Sequence, residues 1–277
     1  MQCVNLTTLP FNFYQENGNK RMIYITGDTH ADFRRFSTKN FPEQKEMTKD
    51  DYIIICGDFG GIWNYLYSDT TEKYWLKWLE DKPFTILFVD GNHENFDRLG
   101  KEFRIVNYHG GKAHQIRSNI YHLMRGYVFE FEGKKFFTFG GASSHDIQDG
   151  ILKIEDYSTL SDLVKDYNKR TRRGEMLRIN HISWWKKELP TSLEMKRGIE
   201  NLNKVNFEVD YVISHCLPQS VISIMYPNSS DKLTRYFDNL VLNCGLKFQR
   251  WHCGHFHMTK TLFGKYDIHY EDIERIL

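Results

Sequence analysis

Three short apolar segments, each followed at once by glycine and an acidic or amide residue, constrain the fold more than any other feature of this sequence. They are residues 22–26 (MIYIT) before Gly27-Asp28, residues 52–56 (YIIIC) before Gly57-Asp58, and residues 85–89 (TILFV) before Asp90-Gly91-Asn92-His93. Helical stretches separate them, the clearest at residues 72–81. Continuous apolar strands that alternate with helices are typical of a sheet buried on both faces. Because ligand-binding residues follow the carboxyl ends of such strands, the three polar segments predict a functional site.

The pattern changes beyond residue 120. The strands predicted there are a hairpin at 127–131 and 135–139, two strands at 210–214 and 247–251, and a second hairpin at 260–263 and 266–270. Residues 143–206 are more charged, and we expect them to form a helical insertion with a capping box at Thr191 and Glu194. The sequence contains no internal repeat or low-complexity linker. Residues 1–277 are therefore interpreted as a single α/β domain with an insertion over about 143–206.

Charge, hydropathy and cysteine content narrow the class of protein. The 37 Lys and Arg residues nearly balance the 36 Asp and Glu residues, so a broad basic face for duplex nucleic acid is not expected. No stretch stays apolar for the ~18 residues of a membrane span, and residues 1–21 lack the apolar core of a signal peptide. Five cysteines without a C-x-x-C pair are typical of reduced thiols: Cys3, Cys56, Cys216, Cys244 and Cys253. The cytoplasm is the expected compartment.

Five motifs along the chain carry side chains that bind metal ions. They are Asp28-Thr29-His30, Gly57-Asp58, Gly91-Asn92-His93-Glu94, His215 within Ile213–Pro218, and Gly254-His255-Phe256-His257. In an extended segment residues i and i+2 share a face, so both members of a D-x-H or G-H-x-H motif can point at one centre. Mixed oxygen and imidazole donors suit Mn²⁺, Fe or Zn²⁺ better than Mg²⁺ or Ca²⁺. The motifs therefore predict a transition-metal site.

Each motif alone also has an ordinary structural interpretation. A Gly-Asp pair after a strand is usually a turn, and a single histidine such as His215 more often satisfies a hydrogen bond in the core. The G-H-x-H motif is harder to explain in this way, since 19 Gly and 12 His in 277 residues give about 0.03 chance occurrences. Its combination with four further motifs, each at a predicted strand end, favours the metal site.

In order and residue type, the five motifs resemble the pattern of the calcineurin-like metallophosphoesterase superfamily: D-x-H, G-D-x-x-D, G-N-H-[D/E], H and G-H-x-H. The resemblance extends from Asp28 to His257, which is most of the chain. It implies a four-layer αββα sandwich, in which two sheets are flanked by helices. It also implies two metal ions bridged by one carboxylate and one hydroxide.

The resemblance also implies a role for each motif residue. The first metal would be held by Asp28, His30 and His257, and the second by Asn92, His215 and His255, with Asp58 bridging both. His93 would face the phosphate and protonate the leaving oxygen as a general acid. The bridging hydroxide would hydrolyse a phosphomonoester or a phosphodiester of a phosphorylated small molecule or nucleotide-like compound. Two divalent ions are expected, Mn²⁺ before Fe or Zn²⁺.

The sequence departs from the superfamily pattern at two positions. Gly61 stands where a carboxylate often orients the catalytic histidine, and Ile62 stands where an arginine often contacts the phosphate. Phe139, rather than a metal-binding histidine, precedes Gly140-Gly141, whereas the His-x-x-Pro context of His215 matches the phosphodiesterase-like branches. These features argue against a protein Ser/Thr phosphatase, and they leave open which residue orients His93.

Other polar segments have two open interpretations. The basic run at residues 169–173, with Arg178 and His181 beyond it, either contacts the phosphate or forms a solvated face. Residues 143–146 (SSHD) either line the site or cap the next helix, and Trp184-Trp185 is interpreted as core packing rather than a base-stacking surface.

Two functions besides a phosphoesterase remain open from the sequence. A catalytically silent scaffold of the same fold is one, although such proteins usually lose metal-binding or catalytic histidines that are present here. A nuclease is the other, and it requires a basic groove or an extension that the sequence does not reveal.

Overall fold

A computed structural model describes residues 21–227 and 229–277. Its strands are β1 (Ile23–Thr26), β2 (Tyr52–Ile55), β3 (Thr85–Phe88), β4 (Ile105–Tyr108), β5 (Gly111–Arg117), β6 (Ile120–Leu123), β7 (Tyr127–Phe131), β8 (Lys134–Phe139), β9 (Ile151–Leu152), β10 (Arg178–Ile179), β11 (Tyr211–Ser214), β12 (Arg250–Cys253), β13 (Lys260–Leu262), β14 (Tyr266–Ile268) and β15 (Ile273–Arg275). Its α-helices are α1 (Thr70–Glu80), α2 (Phe96–Glu102), α3 (Leu160–Thr171), α4 (Ser192–Asn203), α5 (Gln219–Ile222) and α6 (Lys232–Asp238).

The larger strands form two mixed sheets. The first has seven strands in the order β15-β1-β2-β3-β6-β5-β4, and its four central strands, from β1 to β6, are parallel. The second has six strands in the order β13-β14-β12-β11-β8-β7, and its four central strands, from β14 to β8, are also parallel. Antiparallel strands close the edges of both sheets. Each sheet therefore has one edge at which the carboxyl ends of parallel strands collect.

The two sheets pack face to face, and helices cover their outer faces. Between the sheets, Ile25 and Ile54 of the first share a core with Phe136 and Ile213 of the second. Every residue of β1, β2 and β3 is buried, as expected for strands covered on both faces. The structure confirms the predicted four-layer αββα sandwich.

The outer layers are assembled from amphipathic helices. On the first sheet, Leu76 of α1 packs in one cluster with Ile53 and Ile86. On the second sheet, Phe237 of α6 packs in another cluster with Val212. Helix α4, which carries the predicted capping box between Thr191 and Glu194, also contributes to the second cluster through Leu202.

Residues 143–206 are less helical than predicted. Alongside α3 and α4 they contain a two-stranded parallel sheet, β9 with β10, and a small core of their own. That core consists of Leu152, Leu163, Leu177 and Ile179. Strands of two residues are too short to show an apolar alternation, so the sequence pattern could not reveal them.

Two further differences from the predicted strands have local causes. The strand expected at 247–251 begins at Arg250, because the carbonyl of Asp210 accepts the N–H groups of both Gln249 and Arg250 before the ladder starts. Strands β4, β5, β6 and β15 were not predicted. The side chains of β4 alternate between exposed and half-buried, so it lacks a continuous apolar run.

No helix in the described ranges is long and apolar enough to cross a bilayer. Cys56, Cys216, Cys244 and Cys253 are free thiols, and the first, second and fourth of these are buried. Cys3 and the rest of residues 1–20 lie outside the described part of the chain.

A buried ion pair holds α2, which begins just after His93, against α1. The Arg98 guanidinium donates to both carboxylate oxygens of Glu72, at 2.7 and 2.8 Å, and the two side chains are 5% and 4% exposed. Replacing Arg98 by Ala leaves the Glu72 carboxylate buried without its cation. We therefore expect the free energy of unfolding, measured by urea denaturation, to fall by about 3–5 kcal/mol.

A matched control is Lys77→Ala, which removes the exposed pair with Asp81 on α1. This control should leave the urea midpoint nearly unchanged. Equal midpoints for the Arg98 and Lys77 variants would contradict the structural role of the buried pair.

Candidate metal centre

All seven predicted ligands lie at the carboxyl ends of parallel strands, where the two sheets meet. The preceding strands are β1 for Asp28 and His30, β2 for Asp58, β3 for Asn92, β11 for His215 and β12 for His255 and His257. Backbone bonds tie neighbouring loops together within each sheet, since the Gly254 N–H donates to the His215 carbonyl and the His30 N–H donates to the Asp58 carbonyl. The tertiary structure thus brings together residues from five separate motifs.

The backbone at the ligands is strained. His30, Asp58, His255 and His257 have φ values of 44°, 46°, 69° and 47°. Residues with a Cβ atom rarely adopt this left-handed conformation, which costs of order 1–3 kcal/mol at each position. Such strain persists only where the surrounding structure enforces it, and it is concentrated at functional sites.

Glycines beside the ligands permit very close approach. A Cβ atom on Gly91 would lie 1.9 Å from Oδ1 of Asp58, and one on Gly57 would lie 2.1 Å from Nδ1 of His215. Either contact would displace a proposed ligand. The glycines in the G-D and G-N-H motifs are therefore required by the packing of the site as well as by the turns.

One group of ligand atoms is formed by Asp28, His30 and His257. Nε2 of His257 lies 3.2 Å from Oδ2 of Asp28 and 3.1 Å from Nε2 of His30. Nε2 of His30 lies 3.6 Å from the same carboxylate oxygen. Three donor atoms this close together form a pocket that a single cation can occupy.

A second group surrounds His215, which is fully buried. Nδ1 of His215 donates to the Cys56 carbonyl at 2.7 Å, so Nε2 is the ring nitrogen that faces the site. This Nε2 lies 3.3 Å from Oδ2 of Asp58 and 3.3 Å from Oδ1 of Asn92. Oδ2 of Asp58 is also 3.8 Å from Nε2 of His30, so its carboxylate lies between the two groups.

The charges around His215 favour a cation at this position. Burial lowers the pKa of His215, but the carboxylates of Asp58 and Asp28 raise it to about 10. A proton on Nε2 therefore neutralises two buried carboxylates that a metal ion would otherwise neutralise. His255 lies beside His215, with ring centroids 5.0 Å apart. Burial and His215 lower the pKa of His255 to about 3, which keeps its imidazole neutral and able to bind metal.

His93 faces the same centre from the other side of Asp58. Its backbone N–H donates to Oδ1 of Asp58 at 2.8 Å, and its ring lies 5.4 Å from that of His30 and 5.7 Å from that of Trp63. Burial lowers the pKa of His93, whereas the Asp58 carboxylate opposes that shift. Within residues 21–227 and 229–277, no side chain hydrogen-bonds the His93 imidazole.

The structure accounts for one departure from the superfamily pattern, the one at Ile62. Ile62 is buried in the core beneath the first sheet, so this position does not contact a phosphate. Arg178 from the insertion lies close enough to affect the pKa of His93, and its Nε donates to Oδ2 of Asp146 at 2.8 Å. Arg172 and Arg173 are exposed at the end of α3. Of the basic residues, Arg178 is therefore the one that the structure brings near His93.

Ser144 has a role that the sequence did not reveal. Nδ2 of Asn92 donates to Oγ of Ser144 at 3.3 Å, and Oγ of Ser144 donates to Oε2 of Glu188 at 2.6 Å. This chain of bonds turns the Asn92 oxygen towards His215. Ser144 belongs to the segment 143–146 that was expected either to line the site or to cap the next helix, but the sequence did not indicate its bonds to Asn92 and Glu188.

Trp185, the second of the two tryptophans of the insertion, lies in the core. Trp185 is 1% exposed, and its indole N–H donates to Asp97 at 2.9 Å. The interpretation of Trp185 as core packing is confirmed.

Two recesses open beside the candidate metal centre. The larger, of about 510 Å³, is lined by Asp58, Asn92, His93, Ser143, His145, Tyr226, Ser229, His255, Phe256 and His257. The smaller, of about 200 Å³, is lined by His30, Ala31, Gly60, Trp63 and His93. His93 lines both recesses, so it stands where they meet.

Comparison with known proteins gives similar sequences in animals. The chain is 28% identical to lariat debranching enzyme A of Xenopus laevis over 215 residues, which are 72% of this chain and 33% of that protein. It is 24% identical to the lariat debranching enzyme of Danio rerio (72% of this chain, 31% of that protein). It is 23% identical to that of Caenorhabditis elegans (78% and 40%). The chain thus spans about a third of the length of these curated relatives.

The family comparison covers nearly the whole described structure. Residues 22–262 match the sequence model of the calcineurin-like phosphoesterases, a family that uses divalent metal ions. That range includes both sheets apart from β14 and β15, and it contains every residue of the candidate metal centre. The chain therefore belongs to the calcineurin-like phosphoesterase family.

Proposed function

We propose that this chain is a metal-dependent phosphodiesterase that hydrolyses nucleotide phosphodiesters. The observation that carries the proposal is the convergence of Asp28, His30, His257, Asp58 and His215 in two adjoining groups of donor atoms, with Asn92 and His255 next to His215 and a recess on each side of His93. Calcineurin-like phosphoesterases use divalent metal ions, and we propose the same metal-dependent chemistry for this site.

The donor set fits two transition-metal ions. Asp28, His30 and His257 would hold one ion, Asn92, His215 and His255 the other, and Asp58 would contact both. Imidazole and carboxylate donors favour Mn²⁺, with Fe or Zn²⁺ as alternatives. When bound, such a pair of ions lowers the pKa of a water molecule and neutralises charge on the phosphoryl oxygens.

The protein residues contribute orientation and a proton. The Asp58 carboxylate accepts a hydrogen bond from the backbone N–H of His93. The His93 imidazole is therefore held next to the ligands without binding metal itself. A positioned imidazole can protonate the leaving oxygen as the bond to phosphorus breaks. Arg178, whose charge lowers the pKa of His93 while that of its partner Asp146 opposes the shift, is the proposed substitute for the arginine that Ile62 replaces.

The two recesses favour a diester over a monoester. A diester carries a substituent on each side of its phosphorus atom, whereas a monoester carries one. The larger recess adjoins His255 and His257, and the smaller adjoins His30 and Trp63, so each can accept one substituent. The relatives are named lariat debranching enzymes, and we propose a phosphodiester at an RNA branch as the first substrate to test.

The decisive experiment compares four substrates after loading with Mn²⁺. They are p-nitrophenyl phosphate, bis-p-nitrophenyl phosphate, a 3′-5′-linked ribodinucleotide and a 2′-5′-linked ribodinucleotide. The proposal requires the diesters to be hydrolysed faster than the monoester. Two bound metals with no hydrolysis of any substrate would favour a silent scaffold instead.

Metal content tests the proposal of two bound ions. The loaded protein should hold two transition-metal ions per chain by elemental analysis, and Asp58→Asn should lower the occupancy of both, because this carboxylate lies between the two groups. The control Asp97→Asn changes a carboxylate that bonds His181 and Trp185 instead. Full occupancy in the Asp58 variant would rule out the bridging role.

Ser144 should affect the metals indirectly. Ser144→Ala removes the hydroxyl that orients the Asn92 amide, so we expect the affinity for one of the two ions to fall about 10- to 100-fold. Competition with a chelator measures this affinity, and thermal unfolding checks that the fold is intact. Ser143→Ala is the neighbouring control. Equal affinities for the Ser144 variant and the wild type would show that Asn92 needs no such support.

His93 should affect catalysis without affecting metal content. His93→Ala removes the proposed acid but no ligand, so kcat for the best diester should fall by about 10²–10⁴ while both metals remain bound. The loss should be smaller for p-nitrophenyl esters, whose leaving group needs little protonation. His109→Ala is a suitable control, because His109 bonds Tyr52 and Glu130 away from the ligands. Undiminished activity of His93→Ala on an alkyl diester would refute the assignment.

A further inference from the structure

An aromatic pair at the mouth of the larger recess has no part in the chemistry described so far. The rings of Tyr226 and Phe256 are stacked, with centroids 5.9 Å apart and planes 11° from parallel. Both rings line the recess that contains Asp58, Asn92 and His93. Tyr226 is 45% exposed, so a large aromatic surface faces the solvent beside a polar site.

Core packing and backbone hydrogen bonds hold the aromatic pair in position. Phe256 packs against the hydrophobic cluster on the outer face of the second sheet. The N–H of Tyr226 donates to the carbonyl of Ile222 at 2.8 Å, at the end of α5. The carbonyl of Tyr226 accepts from the N–H of Ser229 at 3.1 Å. The aromatic surface is therefore held in place by the backbone around it.

The position of the pair relates it directly to the metal centre. Phe256 lies between His255 and His257 in the sequence, and its ring contacts that of His255 with centroids 5.2 Å apart. Tyr226 stacks on Phe256 and is therefore one ring further from the ligands. In a nucleotide a single sugar separates the base from its phosphate. A phosphate at the ligands thus directs the attached nucleoside along this series of rings.

We propose that Tyr226 and Phe256 form a stacking surface for the nucleobase next to the phosphate that the enzyme cleaves, an inference that rests on the proposed nucleotide phosphodiesterase function. Aromatic side chains bind any of the four bases, because every base has a π face. Ser143, His145 and Ser229 line the same recess and can hydrogen-bond the sugar or the edge of the base. A phosphate ester without a base would gain nothing from this surface.

The test uses a ribodinucleotide that contains the fluorescent base 2-aminopurine and a phosphorothioate linkage that resists hydrolysis. A second probe is the same compound with an abasic sugar in place of the 2-aminopurine nucleoside. Its binding is measured by competition with the fluorescent probe. Stacking quenches 2-aminopurine, so binding is measured without any need for turnover. The kinetics of the ordinary dinucleotide are measured in parallel, with metal content as an internal check.

Tyr226→Ala should raise the Kd for the fluorescent dinucleotide about 5- to 150-fold, corresponding to the usual strength of one base–aromatic stack. It should reduce quenching, raise KM for the ordinary dinucleotide more than it lowers kcat, and leave metal content and abasic-probe binding the same as in the wild type. Tyr226→Phe keeps the ring and should restore tight binding. Tyr74→Ala, which removes an exposed tyrosine that contacts Trp75 on α1, is the matched control.

The possible outcomes separate this inference from the proposed function. If the wild type cleaves the dinucleotide and Tyr226→Ala binds both probes as the wild type does, the stacking surface is refuted and the phosphodiesterase stands. Equal weakening of both probes would also refute stacking, because the effect would not depend on the base. If the wild type binds with Tyr226-dependent quenching but cleaves no diester, the surface is supported and the proposed function is refuted.

Discussion

Two buried carboxylates determine how the rest of the site is arranged. Asp28 and Asp58 are each 1% exposed, and within the described residues no lysine or arginine forms an ion pair with either. Backbone N–H groups of His255 and His93 partly offset their charge. Two unpaired carboxylates in a buried site are costly unless cations lie next to them. The protein surrounds both with imidazoles, whose donor atoms leave room for metal ions.

A second layer of buried polar groups keeps this arrangement rigid. Below the end of β3, Asp90 accepts from Nε of Arg125 at 2.8 Å, and Nη2 of Arg125 donates to the carbonyl of Glu188 at 3.1 Å. Glu188 in turn holds Ser144, which orients Asn92. Asn92 is thus connected to Ser144 and Glu188 of the insertion, and Arg125 connects Glu188 to Asp90 at the end of β3. Networks of this kind rigidify a site when every member is satisfied, which explains how strained φ values at the ligands can persist.

The sequence predicted the fold, but it predicted the surroundings of the proposed ligands poorly. The strands before Asp28, Asp58 and Asn92 were recognised because they are fully buried and therefore continuously apolar. Strands β4 and β5 were missed because they lie near a sheet edge, where exposed and buried side chains mix. The basic run at 169–173 was conspicuous in the sequence, yet the cation that the fold places near His93 is Arg178.

By itself the sequence determined the chemistry available to this protein: five motifs, their order, and the oxygen and imidazole donors that they carry. Donor identity and local spacing are properties of the chain, so they can be read without a structure. Only the tertiary structure decided which residues support those donors and what flanks them. Ser144 and Asn92 are 52 residues apart, and Tyr226 and Phe256 are 30 apart. Because packing of the two sheets creates these contacts, no local pattern in the sequence could specify them.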